Sequence, residues 1–218
     1  MHLKTKICGL NDAQSVKEAI AGKAYFIGFV FYDKSPRNVT AKEAAKLCRA
    51  VPKTIFKVGV FVNPNDQTLD TVLSNITLDY IQLHGNESVD RISDIKARYG
   101  VRIIKAVSVS EQKDILSAKK FTGIADWVLF DAKPPVTLKE ALPGGNAISF
   151  DWNLLSIKNM ISPALPWILS GGLNINNLKD AVGISGANAV DVSSGVESAY
   201  GKKNPRLIRE FLKLSAKL

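Results

Sequence analysis

Cys8 stands at the end of the first apolar run of the chain, in KTKICGL at residues 4–10, two residues after Lys6. A thiol near a cation ionises more readily than an ordinary cysteine, and its thiolate can act as a base near neutral pH. The alternative is an inert buried thiol, which free cysteine often is. Asp131 ends another apolar run, DWVLFD at 126–131. A carboxylate in that place is costly unless solvated, paired or functional. It can serve as a general acid if its proton is held tightly enough, or it can pair with a cation such as Lys105 or Lys133. Arg37, in YDKSPRNV, carries a guanidinium able to clamp a carboxylate by two parallel hydrogen bonds. Two glycine-bearing segments, SGGLN at 170–174 and SSGVE at 193–197, can turn backbone N–H groups toward an anion. Cys48, in AAKLCRAV, falls mid-helix and reads as inert.

These groups need a frame that holds them together. Short β-rich runs start at residues 3, 25, 55, 79, 101, 126, 166 and 189, and segments of helical spacing lie between them. The helical segments include DAQSVKEAIAG, TAKEAAKLCRAV, SVDRISDIKARYG and NPRLIREFLKLSAKL. Thr40 with Glu43 makes a capping-box spacing. Gly22 and Gly100 mark helix ends, and Asn174 is placed to cap the helix through Asp180. One strand plus one crossover helix, eight times over 218 residues, predicts a single (βα)8 TIM barrel, one catalytic domain over 1–218. A doubly wound open sheet is the second choice, but CGLND after the first strand lacks a dinucleotide-binding glycine pattern. The wide gap at 132–165 reads as a long loop followed by a short helix.

Strand phase then sorts the side chains. With Ile7, Ile81, Leu83, Val128, Phe130, Val190 and Val192 facing the helices, Lys6, Cys8, Gln82, His84, Asp131, Asp191 and Ser193 face inward. All lie near the C-terminal ends of their strands, where barrels of this kind carry their active sites. The glycine segments follow strands 7 and 8, the usual phosphate-binding place. The two segments, with Gly171 and Gly172 in one and Ser193, Ser194 and Gly195 in the other, are therefore the expected phosphate site, and two tight turns are the alternative.

The net charge is +9, from 29 Lys and Arg against 20 acids. The basic residues are scattered, so the expected partner is a phosphate-bearing small molecule rather than nucleic acid. No apolar run reaches membrane-spanning length and no signal-peptide layout opens the chain, so a cytoplasmic place is expected, with no membrane partner. Two cysteines and two histidines show no metal-ligand spacing, and no metal site is expected.

Taken in order, KICGL, FYDKSPRNV, VGVFVN, IQLHG, LFDAK, FDW, LSGGL and VDVSSGVE resemble the phosphoribosylanthranilate isomerases of tryptophan biosynthesis, over nearly the whole chain. The resemblance implies Cys8 as general base, Asp131 as general acid and Arg37 as the holder of an anthranilate carboxylate. It implies Gly171, Gly172, Ser193, Ser194 and Gly195 as phosphate contacts, and Gln82, His84 and Asp191 as pocket positions in contact with substrate. The implied reaction is the Amadori rearrangement of N-(5-phosphoribosyl)anthranilate, with no cofactor, in a monomer or homodimer. Two departures stand out. GGNA, Gly144 to Ala147, replaces the family's Gly-Gly-Thr-Gly, and Asn204 replaces an acid after GKK. Other readings are a histidine-pathway isomerase, which pairs aspartates at strands 1 and 5 that are missing here, and a non-catalytic phosphate sensor, which needs neither Cys8 nor Asp131.

Overall fold

The computed structural model describes residues 3–134, 143–155 and 165–218. Eight parallel strands close into a barrel in sequence order. They are β1 Lys4–Cys8, β2 Phe26–Phe31, β3 Phe56–Phe61, β4 Tyr80–Leu83, β5 Arg102–Val109, β6 Trp127–Ala132, β7 Trp167–Leu169 and β8 Ala189–Val192. Closure is made by β1 against β8, with Lys6 level with Asp191 and Ile7 with Val192. The helices are α1 Ala13–Ala21, α2 Ala41–Cys48, α3 Asp66–Leu73, α4 Val89–Tyr99, α5 Gln112–Ser117, α6 Leu178–Ser185 and α7 Pro205–Ser215. A small antiparallel hairpin, β9 Glu197–Ala199 with β10 Lys202–Lys203, precedes α7.

The expected boundaries hold closely, and local chemistry explains them. Asp12, Thr40 and Ser88 cap α1, α2 and α4 through their side chains, and Thr40 with Glu43 forms the reciprocal capping box. Gly22 ends α1, and Gly100 ends α4 in the left-handed conformation that spares a Cβ clash. Asn174 does not cap a helix as expected. The helix starts later, at Leu178, and Asn174 shapes the turn before it: its Oδ1 accepts from Asn176 N and its carbonyl from Leu178 N. In the 132–165 gap, residues 143–151 form loop and bends and 152–155 a single 3-10 turn. The rest of the expected short helix lies outside the described residues.

Two apolar layers divide the side chains as the strand phase predicts. Ile7, Ile81, Leu83, Val128, Phe130, Val190 and Val192 join the layer shared with the helices. Cys8, Val30, Val60, Ile104, Ala106, Leu129 and Ile168 fill the barrel interior. At the N-terminal end of the strands the interior is closed by rings. Phe26 meets Tyr80 at 5.4 Å and Trp127 at 5.7 Å, both edge to face, and Phe56 meets Tyr80 at 5.7 Å. Lys4 lies over the Tyr25 and Trp127 rings. The C-terminal mouth, at the other end, holds a pocket. Among the described residues, no helix is long and apolar enough to cross a membrane.

Candidate active site

One pocket opens at the mouth. Cys8, Arg37, His84 and Asp131 line it, together with Asp191 and Ser193 of the β8 end and with Gly171, Gly172 and Ser194 of the two glycine segments. Nine of the eleven residues expected at the site thus share one wall. Gln82 and Gly195 do not reach it. Gln82 is fully buried below the pocket and meets His84 Nδ1 through its amide nitrogen at 2.9 Å, because β4 carries it one layer deeper than His84. Gly195 lies against the Leu173 carbonyl, where the two glycine segments touch.

The thiol end is a buried charge cluster. Lys6, with no exposed surface, donates to Asp191 Oδ1 at 2.9 Å, and Ser170 Oγ donates to Asp191 Oδ2 at 3.2 Å. A Cβ built at Gly28 would lie 3.1 Å from Cys8 Sγ and 3.2 Å from Lys6 Nζ, so the bare backbone of β2 leaves room for thiol and ammonium side by side. Burial works against charge on Lys6, but Asp191 and Cys8 outweigh it and raise its pKa. The sequence reading expects the neighbouring cation to lower the thiol. The balance runs the other way: burial pushes the Cys8 thiol up and Asp191 adds to the rise, while Lys6 and Lys203 pull it down only in part. Lys6 has already spent much of its field on Asp191. Cys48, expected mid-helix, is the last residue of α2 and half-buried; burial pushes its thiol up to about 12.

Across the mouth, Asp131 has neither of the lysine partners left open by the sequence. Lys105 faces the outside of the barrel and pairs with Glu87 at 2.8 Å. Asp131 Oδ2 meets His84 Nε2 at 3.2 Å, and Oδ1 accepts from Ala132 N at 3.0 Å. His84 thus bridges the Gln82 amide at Nδ1 and the Asp131 carboxyl at Nε2.

Arg37 is buried, and one edge of its fork is taken. Nε and Nη2 donate to Glu197 Oε1 and Oε2 at 2.7 and 2.9 Å, and Nη2 also donates to the Gly145 carbonyl at 3.2 Å. Nη1 lies beside Gly145 at the pocket wall. The sequence reading missed Glu197. Its only local signal is the Tyr200–Gly201 turn, which implies a hairpin that folds back toward Arg37.

The glycine segments meet the requirements of their backbone. Gly171 and Gly172 have φ of +88° and +61°, a region open to glycine, and a Cβ at Gly172 would fall 2.8 Å from the Ile148 carbonyl carbon. Gly195 has no such φ; it is needed because the two loops touch there, and a methyl would drive into the Leu173 carbonyl. Gly195→Ala is expected to weaken competition by inorganic phosphate about tenfold and to lower stability by about 1–3 kcal/mol. Inhibition titration and a thermal melt check this; an unchanged phosphate constant refutes it.

A family model for N-(5'-phosphoribosyl)anthranilate isomerase matches residues 5–214. The chain belongs to this isomerase family. It is 48% identical over 213 residues to the N-(5'-phosphoribosyl)anthranilate isomerase of Paramagnetospirillum magneticum, covering 98% of this chain and 97% of that one. A crystal structure of phosphoribosyl anthranilate isomerase in complex with reduced 1-(o-carboxyphenylamino)-1-deoxyribulose 5-phosphate superposes with a TM-score of 0.83 at 33% identity, covering 99% and 100% of the two chains. Monomers derived from the dimeric isomerase of Thermotoga maritima give 0.82 at 32%, with the same coverage. The chain is thus an isomerase of tryptophan biosynthesis on a (βα)8 barrel.

Both departures of this isomerase from the family's motifs have physical readings. Asn204 caps α7, accepting from Arg206 N at 3.0 Å and Leu207 N at 3.4 Å, so the acid is replaced by an equally good cap. Ala147 has φ +58° where the family carries glycine, a conformation that costs a residue with Cβ about 1–2 kcal/mol.

Proposed function

We propose that this single domain, spanning 1–218, catalyses the Amadori rearrangement of N-(5-phosphoribosyl)anthranilate with Cys8 as base and Asp131 as acid. One observation carries the reading: Cys8 and Asp131 line the same pocket as Arg37 and both glycine segments. The substrate has two anionic ends. Its phosphate fits the N–H groups around Gly171, Gly172, Ser193 and Ser194, with Gly195 permitting their close approach. Its anthranilate carboxylate fits Nη1 of Arg37. The sugar then spans the mouth between thiol and acid.

Asp131 gives its proton to the furanose ring oxygen. The C1–O bond breaks and the nitrogen lone pair forms the iminium. The Cys8 thiolate then removes the proton from C2, and the electron pair moves into the iminium to give an enolamine. Relaxation to the ketone yields 1-(2-carboxyphenylamino)-1-deoxyribulose 5-phosphate. The acid and the base act on different atoms, so they belong on different strands of one mouth. His84 orients Asp131, and Gln82 orients His84. Asp191 lines the pocket and holds Lys6 beside the thiol.

The direct test follows the loss of fluorescence of phosphoribosylanthranilate. Absence of turnover in the wild-type protein refutes the reading. In the same assay Arg37→Ala is expected to raise KM about 10–100-fold, the worth of a hydrogen bond between charged groups, with a smaller change in kcat. An unchanged KM rejects the carboxylate anchor.

A further inference from the structure

Arg37 is held by residues that the catalytic reading does not use. Glu197, at the start of β9, accepts four hydrogen bonds. Arg37 Nε and Lys203 Nζ share Oε1, both at 2.7 Å, while Arg37 Nη2 at 2.9 Å and Gly201 N at 3.1 Å share Oε2. Lys203, at the end of β10, spends its remaining hydrogens on Ser193: on the carbonyl at 2.9 Å and on Oγ at 3.0 Å. Ser193 Oγ in turn donates to the Cys8 carbonyl at 3.1 Å. All three charged side chains are buried. The turn that joins β9 to β10 is pinned too. Asn11 donates to the Gly201 carbonyl at 3.2 Å, and the Tyr200 ring lies 5.3 Å from the Arg37 guanidinium.

Two features make this more than a scaffold. Two basic side chains share one carboxylate; burial and the neighbouring Arg37 lower the Lys203 pKa, while Arg37 keeps its charge and is the member at the pocket wall. Such a charge calls for an anion. Burial works to raise the Glu197 carboxyl, but hydrogen bonding from Arg37 and the charge of Lys203 hold it below the usual carboxylate range, so it stays an anion. The same hairpin also touches a residue of the phosphate segments. Its two ends therefore fix the spacing between the carboxylate anchor and the phosphate anchor.

We propose that Glu197 and Lys203 are positioning residues: Glu197 locks the Arg37 fork so that Nη1 faces the substrate carboxylate, and Lys203 ties that anchor to Ser193. This deepens the reading given above and rests on Arg37 meeting a carboxylate. It makes the hairpin 197–203 a determinant of specificity for ligands with an anion at each end.

The test compares two competitive inhibitors: reduced 1-(o-carboxyphenylamino)-1-deoxyribulose 5-phosphate and the same molecule without its carboxylate. Glu197→Gln is expected to raise the inhibition constant of the first, and KM, about tenfold or more. The second inhibitor and kcat should change less than threefold. Glu197→Asp, too short to reach both Arg37 and Lys203, should behave alike and serves if the first variant folds poorly. Lys203→Met should weaken both inhibitors and inorganic phosphate. Equal weakening of the two inhibitors by the Glu197 variants, or unchanged phosphate binding in Lys203→Met, overturns the proposal. Arg37→Ala separates the levels. If it leaves the preference for the carboxylate intact, the anchor itself is wrong. If it abolishes the preference while the Glu197 variants do not, only the positioning role fails.

Discussion

Cys8→Ser is expected to lower kcat/KM about 10²–10⁴-fold, the usual contribution of one proton-transferring group. The hydroxyl is close in size to the thiol and keeps Lys6 within reach, so the fold should survive with a loss below about 2 kcal/mol. A hydroxyl is a far weaker acid than a thiol, so it supplies almost no anion to take the C2 proton. The pH dependence follows from the cluster. Burial raises the Cys8 thiol, so the base is mostly protonated at neutral pH in the empty enzyme. Wild-type kcat/KM should therefore climb as pH rises through the upper thiol range. Alkylation by iodoacetamide should follow with a midpoint above that of an ordinary cysteine. Full turnover in Cys8→Ser removes Cys8 from the mechanism. A midpoint below the ordinary value would mean that Lys6 and Lys203 outweigh burial.

Asp131→Asn tests the other half of the chemistry with an equally large expected loss, about 10²–10⁴-fold in kcat. The amide keeps the shape, and its oxygen can still accept from Ala132 N or from His84. It has no acidic proton to give to the ring oxygen. Binding of the reduced product analogue should change little, because neither of its anionic ends meets Asp131. Loss of affinity in step with turnover would mean that Asp131 positions the ligand instead of protonating it. Turnover at the wild-type level would exclude it as the acid.

Much of this was legible from periodicity alone. Alternation places Ile81 and Leu83 outward and Gln82 and His84 inward without any knowledge of partners, and the same rule carries Asp131 and Asp191 to one mouth. Caps such as Thr40 and Ser88 are local, so their chemistry is complete within four residues. What escaped was whatever depends on distant contacts. The direction of the Cys8 shift is set first by its burial in the closed barrel and then by Asp191, which pairs with Lys6 185 positions away. Arg37 looked free to clamp a ligand with two hydrogen bonds because its fork partner, Glu197, is 160 positions away. Asn174 has capping chemistry, but the helix starts after Asn177, whose side chain accepts from Asn174 N and makes no cap; the path of the loop decides this.

The ring-filled floor separates two tasks by length along the strands. Cohesion is concentrated where Phe26, Phe56, Tyr80 and Trp127 interlock at one end of the strands, whereas Cys8 and Asp131 sit at the other, Asp131 four residues after Trp127 on β6. Residues at the rim can therefore be exchanged without loosening the far end. A lineage could retool such a rim for a new sugar by single replacements and still inherit a finished bottom half.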